Sequence, residues 1–123
     1  MKKPPAGTEA RVAKMSFGSI YPLYLSKIEK KGRTKEELHR VITWLTGYDD
    51  EAIEAQVSNG ATFETFFAGA TLHSNVHLIK GVICGYRVEE MDEGLLKQSR
   101  YLDKLIDELA RGKKIESILR KEK

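Results

Sequence analysis

The chain of 123 residues has one cysteine, three prolines and one tryptophan. A single thiol, Cys84, forms no internal disulfide, which is compatible with a reducing cytosol. No apolar run approaches the ~20 residues that a bilayer-spanning helix needs. The start, Met-Lys-Lys-Pro-Pro-Ala-Gly, is basic but has no apolar stretch behind it, which argues against a secretory signal. There is no Gly-x-x-x-x-Gly-Lys-Ser/Thr phosphate loop and no Gly-x-Gly-x-x-Gly after a strand. Gly18–Pro22 lacks the Gly-x-Ser-x-Gly spacing of a hydrolase elbow. Internal repeats and low-complexity segments are also missing.

What is present is ordinary for a globular protein: 41% hydrophobic and 32% charged residues, enough for one core and one domain. The net charge of +3 is unevenly laid out. Residues 1–35 hold nine basic and two acidic residues, a net +7. Residues 36–96 hold three basic and eleven acidic residues, a net −8, and residues 97–123 hold nine and five, a net +4. Basic ends lying over an acidic middle account for this layout, and a basic surface for an anionic partner is the sharper reading.

The strongest local signal is Thr34–Tyr48. Thr34 and Glu37 have the spacing of a capping box. Leu38, Val41, Ile42 and Leu45 form one apolar stripe, and Gly47 stands where a helix terminates. Upstream, residues 1–14 read as a disordered leader, with the helical domain spanning 15–123. Ser19–Lys31 reads as a helix with Ser19 or Ser16 as its cap and Pro22 in its first turn. Downstream, an aspartate of the 49–50 pair caps a short helix to about Ser58. Phe63, Phe66 and Phe67 then read as core. Asp92 is the expected cap of a long helix over Glu93–Arg111, and Lys113–Lys121 makes a short amphipathic tail.

Asn75–Met91 fits two periods. Leu78, Ile79, Val82, Ile83 and Tyr86 give a helical stripe, while Val76, Leu78, Val82, Cys84, Tyr86 and Val88 nearly alternate. A buried helix is favoured, because the segment is long for a strand and its neighbours are helical. The expected fold is therefore all-α, a compact bundle of four to five short helices. An α+β arrangement with residues 76–88 as a strand is the alternative.

Several stretches carry a resemblance: Tyr21–Tyr24, Lys30–Lys35, Trp44–Tyr48, Phe63–Phe67, Gly81–Glu89 and Arg100–Ala110, in that order. Together they resemble the bacterial domain-of-unknown-function family 2200 over about Lys14 to Lys121. The resemblance implies a small, helical, bacterial cytosolic protein of unassigned activity, and it supplies no catalytic residues. Gly94 departs from the proline associated with that position.

No constellation in the sequence carries chemistry. His73 and His77 are four apart, but Ser74-Asn75 between them looks like a cap and nothing marks a third ligand, so no metal is assigned. Cys84, between Ile83 and Gly85, reads as a small buried hydrophobe. Asp49-Asp50 reads as capping and Glu89-Glu90 as solvated. No catalytic residue and no cofactor are assigned.

A helix-turn-helix outline after Thr34 fails on its second helix, which has two glutamates and no basic residue to meet phosphates. The favoured reading is a non-enzymatic cytoplasmic protein that binds another protein or itself, with Trp44, Tyr48, Arg87, Arg100 and Tyr101 as candidate anchors. The second is a nucleic-acid-associated protein using Lys27, Lys30, Lys31, Arg33 and Lys35 on phosphates. The third is a small enzyme with Cys84, Arg87 or the acids in a cleft. A membrane partner is not expected.

Overall fold

The structure is a computed structural model that describes residues 4–120. Its described residues form seven helices and one two-stranded hairpin. The helices are α1 (Thr8–Lys14), α2 (Phe17–Glu29), α3 (Lys35–Thr46), α4 (Asp50–Ser58), α5 (Phe63–Ala68), α6 (Leu95–Ala110) and α7 (Ile115–Ile118). The strands are β1 (Val82–Ile83) and β2 (Tyr86–Arg87), antiparallel. The fold is thus all-α with a small hairpin. No described helix is long and apolar enough to cross a membrane.

The α3 signals are realised atom by atom. The Thr34 hydroxyl accepts from the Glu37 N–H at 3.2 Å, and the Glu37 carboxylate accepts from the Thr34 N–H at 3.0 Å. Gly47 takes φ 80°, a left-handed conformation that costs glycine nothing, and its N–H closes the helix on Thr43. Leu38, Val41, Ile42 and Leu45 are fully buried. They meet Leu102, Leu105, Ile106 and Leu109 of α6, which passes through the middle of the core. The second half of the core is aromatic. Phe17 stacks on Phe66 with ring centroids 4.0 Å apart, and Phe63 meets Phe17 edge-on. The three phenylalanines of α5 are all buried, as their spacing implies.

Four expectations need correction. First, the leader expected over residues 1–14 is helical in its second half. α1 spans Thr8–Lys14 and buries Val12, while residues 1–3 lie outside the described residues. Second, α2 starts at Phe17, capped by the Ser16 hydroxyl, so Pro22 sits beyond the first turn. Third, the N-cap position of α6 is not Asp92. The N-cap is Gly94, at φ 149° and ψ −174°, a conformation essentially restricted to glycine. The capping acceptor comes from α1: the Glu9 carboxylate takes the Leu96 N–H at 2.9 Å. A Cβ on Gly94 would lie 2.7 Å from that carboxylate, so glycine at 94 and Glu9 at the helix end belong together. Glu9→Ala should therefore cost about 1 kcal/mol, the usual worth of an N-cap, read by thermal unfolding.

The fourth correction is the largest. Asn75–Met91 is not a helix, and residues 76–88 are not one strand. A single 3₁₀ turn at Val76–Leu78 leads into the hairpin, and another follows at Val88–Glu90. Ile83 pairs with Tyr86, leaving Cys84-Gly85 as a two-residue turn. Cys84 has φ 53° and Gly85 φ 86°, the signature of a type I′ turn that matches strand twist. Gly81, at φ 116°, also breaks helical geometry. Cys84 is exposed rather than buried. At the other end, Ile115, Ile118 and Leu119 of the expected tail are buried, and Lys121 lies outside the described residues.

Candidate interaction face

The hairpin packs on α6 and is tied down at its base. The Glu89 carboxylate accepts from the Gly81 N–H at 2.9 Å, and the Val88 N–H donates to the Gly81 carbonyl. The Gly81 N–H and the Arg87 guanidinium, 3.5 Å away, hold the Glu89 carboxyl below the usual carboxylate range. A depressed folded-state pKa contributes stability above the unfolded value, near 4.5, and that contribution is lost as pH falls through the folded one. The Gly81 amide should accordingly lose its hydrogen-exchange protection on acidification below that value, ahead of global unfolding.

Beside the hairpin runs a polar strip on α6. The Lys104 ammonium reaches the Val82 carbonyl at 3.4 Å, and its chain lies against Gly81. Its neighbour Asp103 accepts from the Tyr24 hydroxyl at 3.2 Å and from Arg100, one turn back, at 2.9 Å. Burial pushes the Tyr24 hydroxyl well above its ordinary value, and the Asp103 charge adds to this. It remains a proton donor, and Cys84 is near enough to act on it in the same direction. One turn on, Asp107 takes Arg111 at 2.9 Å and Lys27 of α2 at 3.8 Å. A small cavity of about 130 Å³ opens at Tyr24, Arg100 and Asp103, walled by Ile20, Met15 and Phe63. Three of the stretches that carry the family resemblance therefore meet on one face: Tyr21–Tyr24, Gly81–Glu89 and Arg100–Ala110.

Of the residues expected to anchor a partner, two lie on this side. Arg87 is 58% exposed on β2, and Arg100 is largely covered and held by Asp103. The others have work inside the monomer. Tyr101 is buried beneath the Lys97 ammonium. The Tyr48 hydroxyl donates to the Phe66 carbonyl at 2.6 Å. Trp44 is half-buried and stacks on His73, ring centroids 4.4 Å apart. His73 Nδ1 accepts from the Asn75 N–H, and His77 Nδ1 donates to the Ser74 carbonyl. Among the described residues no group of three His, Cys, Asp or Glu side chains is arranged to hold a metal ion.

The candidate phosphate contacts are mostly engaged. Lys27 pairs with Asp107, Arg33 with Glu37 at 3.2 Å and Lys35 with Glu54 at 2.9 Å. The Glu54 hydrogen bond holds the Lys35 ammonium above its ordinary pKa. Lys30 and Lys31 are exposed.

A chain of hydrogen bonds centred on buried His39 was not visible in the sequence. His39 of α3 is buried, and its Nδ1–H donates to Asp50 at 2.9 Å. Nε2 shares a hydrogen bond with the Tyr21 hydroxyl on α2. This joins α2, α3 and α4 through one side chain. Separations of 18 and 11 residues leave no local signal for it.

A family model described as an uncharacterised protein conserved in bacteria, DUF2200, matches residues 11–120. The chain belongs to the DUF2200 family. Among solved structures it is similar to "Crystal structure of uncharacterized protein SP1917", at 37% identity and a TM-score of 0.83. The likeness covers 89% of this chain and 90% of that one. A search of curated proteins finds no match. Membership in DUF2200 agrees with the six stretches that carry the sequence resemblance, all of which lie within the matched residues.

Proposed function

We propose that this DUF2200 protein is a binding module whose partner surface is the hairpin together with the adjoining strip of α6 and α2. The observation that carries this reading is the hairpin itself. Val82 is 54% exposed, and the turn places a cysteine at φ 53° with its side chain in solvent. A left-handed non-glycine residue costs roughly 1 kcal/mol, and asparagine or glycine would fill the turn more cheaply. Cys84→Asn should thus raise stability by about 0.5–1 kcal/mol in a thermal melt. A non-glycine residue held at φ 53° on an exposed tip fits a role outside the monomer.

The test places a photo-crosslinking amino acid at Val82 and, as control, at Glu51 on α4. Irradiation in a bacterial extract should give a discrete product from position 82 and none from 51. Excess wild-type chain should compete it away, and the Val82→Asp chain should not. A self-complex would show twice the chain mass. Equal products from both positions, or none from 82, would overturn the reading.

A further inference from the structure

We infer that the hairpin face takes an acidic protein segment bearing apolar side chains, an inference that rests on the binding-module reading above. The strip that starts at the hairpin carries Arg100, Lys104, Lys27 and Arg111 against two carboxylates, Asp103 and Asp107. Asp107 holds both Lys27 and Arg111, and Lys104 stands one turn before it on α6. Lys30 and Lys31 extend the row just beyond α2. Lys104 reaches only the neutral Val82 carbonyl, at 3.4 Å, among the described residues, whereas Arg100, Lys27 and Arg111 each face a carboxylate. A field of this sign steers an anionic partner and disfavours a cationic one.

Two features select protein over nucleic acid. Large apolar side chains flank the cations: Val82, 54% exposed, on one side, and Leu23, 63% exposed, one turn before Lys27 on the other. These are anchors for apolar side chains rather than for phosphates. The ring at the centre of the strip, Tyr24, is half-buried with its hydroxyl held by Asp103, and Tyr86 of β2 is half-buried on the hairpin face opposite Val82, so neither stands open as a platform for stacked bases.

The probes are fluorescein-labelled twelve-residue peptides and a twelve-base single-stranded DNA, followed by anisotropy on the full chain. One peptide alternates Glu with Leu, and a second replaces each Leu by Ser. The Glu/Leu peptide should bind most tightly. Lys104→Glu should weaken it about tenfold, whereas Arg40→Glu, an equal charge change on exposed α3 surface, should leave it within about twofold. Lys27→Glu should act like Lys104→Glu and stands in if the latter fails to fold. Equal losses from Lys104→Glu and Arg40→Glu, equal binding of the Ser peptide, or tighter Lys104-dependent binding of the DNA would each overturn the inference. Absence of peptide binding while the Val82 crosslink persists would overturn the acidic chemistry alone. Loss of the crosslink as well would overturn the underlying reading.

Discussion

Arg120→Ala should cost this protein about 3 kcal/mol, seen as a loss of roughly ten degrees or more in melting temperature. Arg120 donates twice to Glu108, with both bonds at 2.7 Å, and once to the Ile118 carbonyl. Both side chains are covered, at 14% and 9% exposure, so their charges are poorly screened. Truncating the arginine leaves a buried carboxylate on α6 with only Lys113, 3.8 Å away and half exposed, to answer it. Breaking one side of a buried pair is costlier than removing both. Adding Glu108→Leu to Arg120→Ala should therefore restore most of the loss. If the double variant is as unstable as the single one, the cost lies in lost packing of the C-terminal segment. The Arg120 carbonyl also accepts from the buried Asn75 side chain at 3.2 Å, so hydrogen exchange near residue 75 should rise with the single variant.

Phe66→Ala should cost about 3–5 kcal/mol. Phe66 is fully buried and touches three rings: Phe17 stacked, Phe67 edge-on at 5.0 Å and Tyr48 tilted at 5.1 Å. These contacts tie α5 to α2 and to the end of α3, leaving little room for collapse into the space. Phe66→Leu keeps most of the volume and should lose less than half as much. Denaturant unfolding of the two variants gives the comparison directly, and equal losses would contradict a packing origin.

The parts of the fold legible in the sequence were those whose causes are local. Thr34, Glu37 and Gly47 lie within one helix, and the stripe from Leu38 to Leu45 follows from a 3.6-residue period. The long helix α6 and the buried phenylalanines were legible for the same reason. The Asn75–Met91 segment was not, because its apolar positions satisfy both periods. What decides it is backbone: positive φ at Gly81, Cys84 and Gly85. Glycine advertises that freedom, but cysteine does not, so the turn was hidden and the thiol was read as buried.

The start of α6 was hidden differently. Its cap, Glu9, is 87 residues away, and no window of sequence joins the two. The candidate face was half legible: Arg87 and Arg100 were singled out, and Lys27 was named for a different role. Its assembly depends on the Tyr24–Asp103 and Lys27–Asp107 contacts between α2 and α6, which only the fold supplies. Trp44, Tyr48 and Tyr101 have the residue types of interface anchors, but internal partners occupy them.

The most direct test of a partner surface at the hairpin is an amide spectrum of the uniformly ¹⁵N-labelled chain, recorded with increasing amounts of unlabelled bacterial extract. The account predicts that signals of Val82, Cys84, Gly85, Arg87 and Lys104 broaden or shift first, while those of Arg40, Trp44 and Glu51 hold. Changes centred on Trp44 and Arg40, or spread evenly over the chain, would contradict it.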